Sequence, residues 1–277
     1  MTGSIKSLVW ATDIDVLERD RLLERRDGYW AVHSPTNPTF WWGNFLLFDE
    51  PPGAGDGERW EALFEAEYSG RSEVTHRTFA WDRTDGASGD AEREFVERGY
   101  ELEWTAGLIA APERIVTHVR ANTDVMVRAL DPRAGAEADL WDQVLRRQMS
   151  QAPEGTGGDY HLTFLRRRQA ELRRLFEEGR GAWYAALLAE EVVSSLGIVV
   201  TGVRARYQDV HTSESHRGRG IATRLVADAA AVAASRHAID HFVMAADPDY
   251  HAIGIYESVG FERRELVVGA MRKPADS

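Results

Sequence analysis

Residues Arg217-Gly218-Arg219-Gly220-Ile221-Ala222 interleave two glycines with arginines, just after an alternating run and just before an alanine-rich run of helical spacing. A strand, a Gly-rich turn and a helix in that order present several backbone N–H groups at a helix N-terminus, where the aligned peptide dipoles add about half a positive charge. Such a turn attracts anions, most often phosphate. Gly218 and Gly220 lack side chains that would hold a phosphate away. Arg217 and Arg219 offer charge-assisted hydrogen bonds. Two phosphate motifs fail here: a P-loop needs Gly-Lys-Ser/Thr, and a dinucleotide fingerprint needs a third glycine where Thr223 stands. The missing glycine disfavours a Rossmann-like dehydrogenase. The pattern Arg/Gln-x-x-Gly-x-Gly/Ala fits in full from Arg217 to Ala222.

Groups just before this turn suit proton transfer. His211, just before it, has an unperturbed pKa of about 6.5 and is a candidate base. Asp209 and Glu214 are rivals for that role. Tyr256 lies in the frame Ala252-xxx-Tyr256-xxx-Gly260-Phe261. His216 and His251 read as surface or loop residues.

The elements that must position these groups are legible over the C-terminal half. VMVRA (125–129) alternates as a strand, and 137–149 has helical spacing. QAPEGTGGD (151–159) is a polar, Gly-rich loop, and 161–179 is an amphipathic helix closed by Gly179. Residues 182–189 and 192–200 form a predicted hairpin, with strands again at 206–212, 241–246 and 261–271. Helices are predicted from Gly220 to about Ser235 and over 252–259. The order is a mixed α/β layer design. In the N-terminal half, 28–34, 40–48 and 74–81 read as strands, and 59–68 and 91–99 as helices. Trp41 and Trp42, adjacent on a predicted strand, then face opposite ways, which leaves one free to line a cleft.

A repeat joins the halves. Ala91-xxx-Phe95-xxx-Gly99-Tyr100-Glu101 matches Ala252-xxx-Tyr256-xxx-Gly260-Phe261-Glu262 at an offset of 161 residues. The same offset lays loop 51–57 over 212–218. The reading is two copies of one fold, residues 1–120 and 125–277, joined near 118–124.

Bulk composition excludes several classes. With 43% hydrophobic and 28% charged residues, the chain reads as globular. It has no cysteine, hence no disulfide, thiolate metal site or cysteine nucleophile. No apolar run is long enough to span a bilayer, and no signal-like segment opens the sequence, so no membrane partner and a cytoplasmic location are the expectations. A net charge of -12 argues against nucleic acid as a partner and suits a cationic acceptor. No metal is expected.

The turn and the tyrosine frame, with a strand between them, resemble the GNAT superfamily of N-acetyltransferases over about 125–272. The resemblance implies two GNAT-like mixed-sheet domains in tandem, each a mostly antiparallel α/β sheet flanked by helices. It also implies acetyl-coenzyme A as co-substrate and an amine of a small molecule or peptide as acceptor. On that resemblance the pyrophosphate of coenzyme A meets the backbone N–H groups of Arg217, Gly218, Arg219, Gly220, Ile221 and Ala222, with Thr223 in the first helical turn. The strand before the turn splays from its neighbour, and the pantetheine arm pairs with Val210 and Thr212 on the free edge. An N–H near Val210 or His211 polarises the thioester carbonyl, and the Tyr256 hydroxyl protonates the leaving sulfur. Asp249 departs from the family, which often has Asn there; an ionised Asp cannot donate to the pantetheine arm.

The N-terminal copy reads as non-catalytic. Asp49, Glu50, Asp56 and Glu58 surround its loop and would repel a pyrophosphate, and Phe95 replaces the tyrosine. Its expected roles are to complete the sheet, wall the acceptor cleft or form a homodimer surface. The alternative to an enzyme is an acyl-coenzyme A-binding regulatory module without turnover, which would dispense with Tyr256.

Overall fold

In the computed structural model, which describes residues 4–17, 19–133, 135–150, 159–250 and 252–274, the predicted periodicities resolve into helices and strands. The N-terminal half runs α1 (Leu8–Asp15), β1 (Leu22–Arg25), β2 (Tyr29–His33), β3 (Phe45–Phe48), α2 (Asp56–Glu67), β4 (Arg77–Trp81), α3 (Glu92–Glu97) and β5 (Glu101–Ala110). The C-terminal half runs β6 (Met126–Ala129), α4 (Ala138–Met149), α5 (Asp159–Glu177), β7 (Gly181–Leu188), β8 (Glu191–Thr201), β9 (Arg204–Thr212), α6 (Ile221–Arg236), β10 (His241–Ala246), α7 (Ile253–Ser258) and β11 (Glu262–Arg272). The predicted loop 151–159 falls almost wholly outside the described residues, as does His251.

The chain divides into two units, one of residues 1–107 with 264–277, the other of 108–263. This differs from the expected consecutive segments 1–120 and 125–277. The last strand, β11, pairs antiparallel with β4, Gly269 opposite Ala80, and so joins the N-terminal unit. Its Val267 and Val268 are buried. A strand's pattern says which face is buried, not which edge it joins, so the exchange has no local signal.

Within the first unit β1, β2 and β3 form antiparallel neighbours, and β3 runs parallel to β4 with α2 as the crossover. The core here is aromatic: Phe48 stacks on Trp60 at 3.6 Å, and Phe95 lies 5.2 Å from Tyr100. The predicted strand 40–48 begins only at Phe45, because Trp41–Gly43 is a 3₁₀ turn. Asn44 fixes it: its amide accepts from the Ser34 N–H at 3.0 Å and donates to the Phe40 carbonyl at 3.0 Å. Trp41 and Trp42 therefore do not alternate on a strand, and Trp42 stacks on Trp10 at 5.4 Å.

The second unit repeats the plan. Strands β6 to β9 are antiparallel neighbours, and β9 runs parallel to β10 across α6. β8 is buried along nearly its whole length, the mark of a strand covered on both faces. Helix α6 packs on β7, β8 and β9, and α4 and α5 also pack on this sheet. Tyr207 of β9 reaches α6, its hydroxyl donating to the Val226 carbonyl at 2.9 Å.

Candidate functional site

The site begins with a defect in β9. Ser195 pairs with His211 but Gly197 pairs with Gln208, so β9 carries one more residue than β8 across this interval. Asp209 takes the left-handed conformation, φ 47°, that the extra residue requires. Asp is among the few side chains that tolerate it. A bulge bends its strand and increases the local twist. The effect falls on the other neighbour: pairing of β9 with β10 ends at Arg206 opposite Val243, although both strands continue. From Gln208 to Thr212 the β10-facing edge of β9 is open among the described residues.

The backbone groups on that edge can be named. The Ser213 N–H donates to Val193 at 2.9 Å, and the His211 carbonyl accepts from Ser194 Oγ at 2.6 Å, so both point to β8. Alternation turns the backbone groups of Val210 and Thr212 to the open side. Val210, His211 and Thr212 all line a cleft of about 1120 Å³.

The cleft continues into the turn. Gly220 is the residue before α6, left-handed at φ 71°, and no side chain caps the helix. Among the described residues the backbone N–H groups of 218–223 have no protein acceptor. All six residues, with Arg217, line the cleft. Arg217 is tethered by the Thr212 carbonyl at 3.2 Å and by Glu214 at 3.6 Å. The two glycines differ in use. Gly218, also left-handed, faces open space. At Gly220 a Cβ would collide with the carbonyl of Arg120. The absence of that side chain admits the protein's own backbone, which corrects the sequence reading of Gly220.

Tyr256, on α7, lines the same cleft and is 6% exposed. Burial, and then Tyr250, push its hydroxyl above the usual phenol range, so it stays protonated. His211 is 8% exposed. Burial first, then Arg217 and Arg147, lower its pKa to about 4, and Nδ1 has no hydrogen-bond partner. It is thus a neutral acceptor but a weak base. Asp209 keeps contact with solvent and takes 3.1 Å from the Gln148 amide of α4. Desolvation of the carboxyl raises its pKa, with Arg168 opposing. Neither Asp209 nor Asp249 is among the residues lining the cleft. Asp249 is exposed after β10, its N–H donating to Asp247 at 2.8 Å. His216 does line it, as do His118, Val119 and Arg120 of the segment between β5 and β6. Sequence reasoning missed that segment, which has no periodicity to mark it.

The equivalent place in the first unit is filled by the chain itself. Gly55, before α2, is left-handed at φ 82°, as Gly220 is before α6. There the Gly53 N–H donates to Asp56 at 2.8 Å and the Gly55 N–H to Glu94 at 3.0 Å. In the repeat frame Glu94 stands where the other copy has Ile255, a cleft residue. Phe95, the counterpart of Tyr256, is 1% exposed in the aromatic core. Elsewhere in this unit Glu24, His33 and Glu67 bring potential metal ligands within 4.8 Å of one another. Arg26 holds both carboxylates, Glu67 at 2.6 Å and Glu24 at 2.5 Å, so they already have their cation.

Residues 141–261 match the Acetyltransferase (GNAT) family. Among curated proteins none matches the chain at a significant level. The fold is shared with solved structures of low identity. A conserved protein of unknown function from Staphylococcus epidermidis superposes with a TM-score of 0.68 at 12% identity, covering 92% of this chain and 95% of that one. A GCN5-related N-acetyltransferase from Kribbella flavida gives 0.64 at 13%, covering 95% and 94%. A tandem GNAT protein from the clavulanic acid biosynthesis pathway gives 0.54 at 14%, covering 95% and 88%.

Proposed function

Because residues 141–261 match the GNAT acetyltransferase family, we propose that the protein moves an acetyl group from acetyl-coenzyme A to a primary amine of a small molecule or peptide. The observation that carries this reading is one continuous surface. The open edge of β9, the unsatisfied N–H groups of 218–223 and the protonated Tyr256 all face the same cleft. The pyrophosphate sits on the turn, with Arg217 and Arg219 beside it. The pantetheine arm adds to the edge of β9 through Val210 and Thr212, as an extra strand would. The N-terminal copy binds no coenzyme A, because Asp56 and Glu94 occupy its loop.

The amine nitrogen attacks the thioester carbonyl carbon. The oxygen gathers charge toward the Val210 N–H, an oxyanion-type contact. The C–S bond then breaks and the thiolate takes the Tyr256 proton. A lysine-like amine, with a pKa of about 10.4, must first lose a proton. His211 is the sequence's candidate base, but burial, Arg217 and Arg147 disfavour its charged form and lower its pKa to about 4. We assign His211 the part of a hydrogen-bond acceptor that orients the amine. The proton passes through water to Asp209, the carboxylate next to Val210 on β9, whose pKa is raised above its usual value.

Release of coenzyme A across a panel of amines, aminoglycosides and peptides tests the reading. At least one acceptor should turn over, and Tyr256→Phe should lower kcat about 10²-fold, the lower end for a positioned acid. Binding without turnover of any acceptor, and without slow hydrolysis of the thioester, would support the non-catalytic acyl-coenzyme A-binding module instead.

A further inference from the structure

The segment between β5 and β6 precedes the residues that match the family, yet it supplies one wall of the cleft. Both motif glycines of the second unit are shaped around it. A Cβ on Gly220 would strike the Arg120 carbonyl, and one on Gly260 the Arg114 carbonyl. Hydrogen bonds close the contact. The Asn122 N–H donates to Gly220 at 3.0 Å, its side-chain amide to the Arg219 carbonyl at 3.1 Å, and the Val116 N–H to Val259 at 3.0 Å. The backbone of Arg120 is therefore fixed against the start of α6. Its guanidinium is exposed and, among the described residues, has no hydrogen-bond or ion-pair partner. Arg219, across the same cleft wall, is equally unpaired. A mobile surface arginine without a partner is ordinary. Here the backbone carrying it is pinned at the rim of an anion site.

We infer that Arg120 binds the ribose 3′-phosphate of coenzyme A, a contact supplied from outside the family-matched domain. The inference rests on the reading that the turn holds coenzyme A. With the pyrophosphate on the N–H groups of 218–223 and the thioester toward Val210 and Tyr256, the adenosine end extends from the turn. Residues 118–120 line the same cleft, with the Arg120 carbonyl against Gly220 at the turn. A phosphate dianion suits the guanidinium fork, which forms two parallel hydrogen bonds. Val119, 93% exposed and lining the cleft, offers apolar surface beside it for the adenine ring.

The test is titration calorimetry of the full chain with acetyl-coenzyme A and with its 3′-dephospho analogue. Wild type should prefer the phosphorylated ligand about tenfold, the low end for an exposed charge-assisted contact. Added salt should shrink that preference. Arg120→Ala should lose it, with weaker acetyl-coenzyme A binding, unchanged affinity for the dephospho ligand and an unchanged Tm. Equal loss for both ligands, or loss for neither, overturns the assignment. Ala222→Glu reports separately on the turn: it should abolish binding of both ligands, and if it leaves both intact the turn reading falls rather than the role of Arg120 alone.

Discussion

His211 shows how a residue's surroundings can reassign it. Its type and place suggest a base, but burial beside Arg217 and Arg147 leaves it neutral down to about pH 4. His76 has the same shift, to about 4, chiefly from burial; its Nε2–H donates to the Asn44 carbonyl at 3.0 Å. Unfolded histidine titrates near 6.5, so between pH 6.5 and 4 the unfolded chain binds more protons than the native one. Stability is then full above 6.5 and falls as pH drops through that window. For a buried histidine shifted this far the loss is about 3 kcal/mol. His76→Gln keeps a donor for Asn44 but cannot charge. Urea unfolding of the N-terminal unit should therefore show a shallower fall between pH 7 and 4 than wild type. An identical fall in both proteins would mean His76 is not held neutral. At this scale the sequence was partly legible. Tyr256 and residues 217–223 stood out by type and spacing, and the structure places them in one cleft. Glu94 and Arg120 did not, because what marks them is contact across the fold: Glu94 accepts the Gly55 N–H, and the Arg120 carbonyl packs against Gly220.

At the scale of elements, β9 and its bulge set the geometry. Asp209 holds φ 47°, which a β-branched residue resists strongly and glycine adopts freely. Asp209→Val should destabilise the protein by about 1–3 kcal/mol, the range for a residue forced into a sparsely populated region. Asp209→Gly should cost little stability while removing the carboxylate, and so should lower kcat without lowering Tm. Thermal melts beside steady-state rates check both. A Val variant as stable as wild type would show that the bulge is not fixed by Asp209, and a Gly variant with full kcat would remove Asp209 from proton transfer. The strands and helices of the C-terminal half were legible because period and length agree, as in the hairpin of β7 and β8. Helix α1 was not. Ser7 caps it by accepting the Trp10 N–H at 3.2 Å, and Glu265 completes the cap by accepting the Leu8 and Val9 N–H groups at 2.9 and 3.0 Å. Half of that start signal lies at the far end of the chain.

On the scale of the whole molecule, two copies of one plan have diverged at the same places. Cap glycine, short helix and following glycine are kept in both, as Gly55, α3 and Gly99 and as Gly220, α7 and Gly260. The interval between the two caps is longer in the first copy. The single offset of 161 therefore aligns α3 with α7 but not Gly55 with Gly220. What differs is the occupant: carboxylates of the chain in one copy, an open turn in the other. The placing of β11 in the first unit, against β4, is something that pattern alone does not reveal. The central claim is that one copy only, through the turn at 217–223, holds acetyl-coenzyme A. Titration calorimetry of wild type and Ala222→Glu tests it most directly. A glutamate in the first turn of α6 suits the helix dipole, so the fold should keep or slightly gain stability. The same charge opposes a pyrophosphate by several kcal/mol, about a hundredfold in affinity or more. The account predicts one acetyl-coenzyme A per chain in wild type and none measurable in Ala222→Glu at an undiminished Tm. Two ligands per chain, or full affinity in the variant, would contradict it.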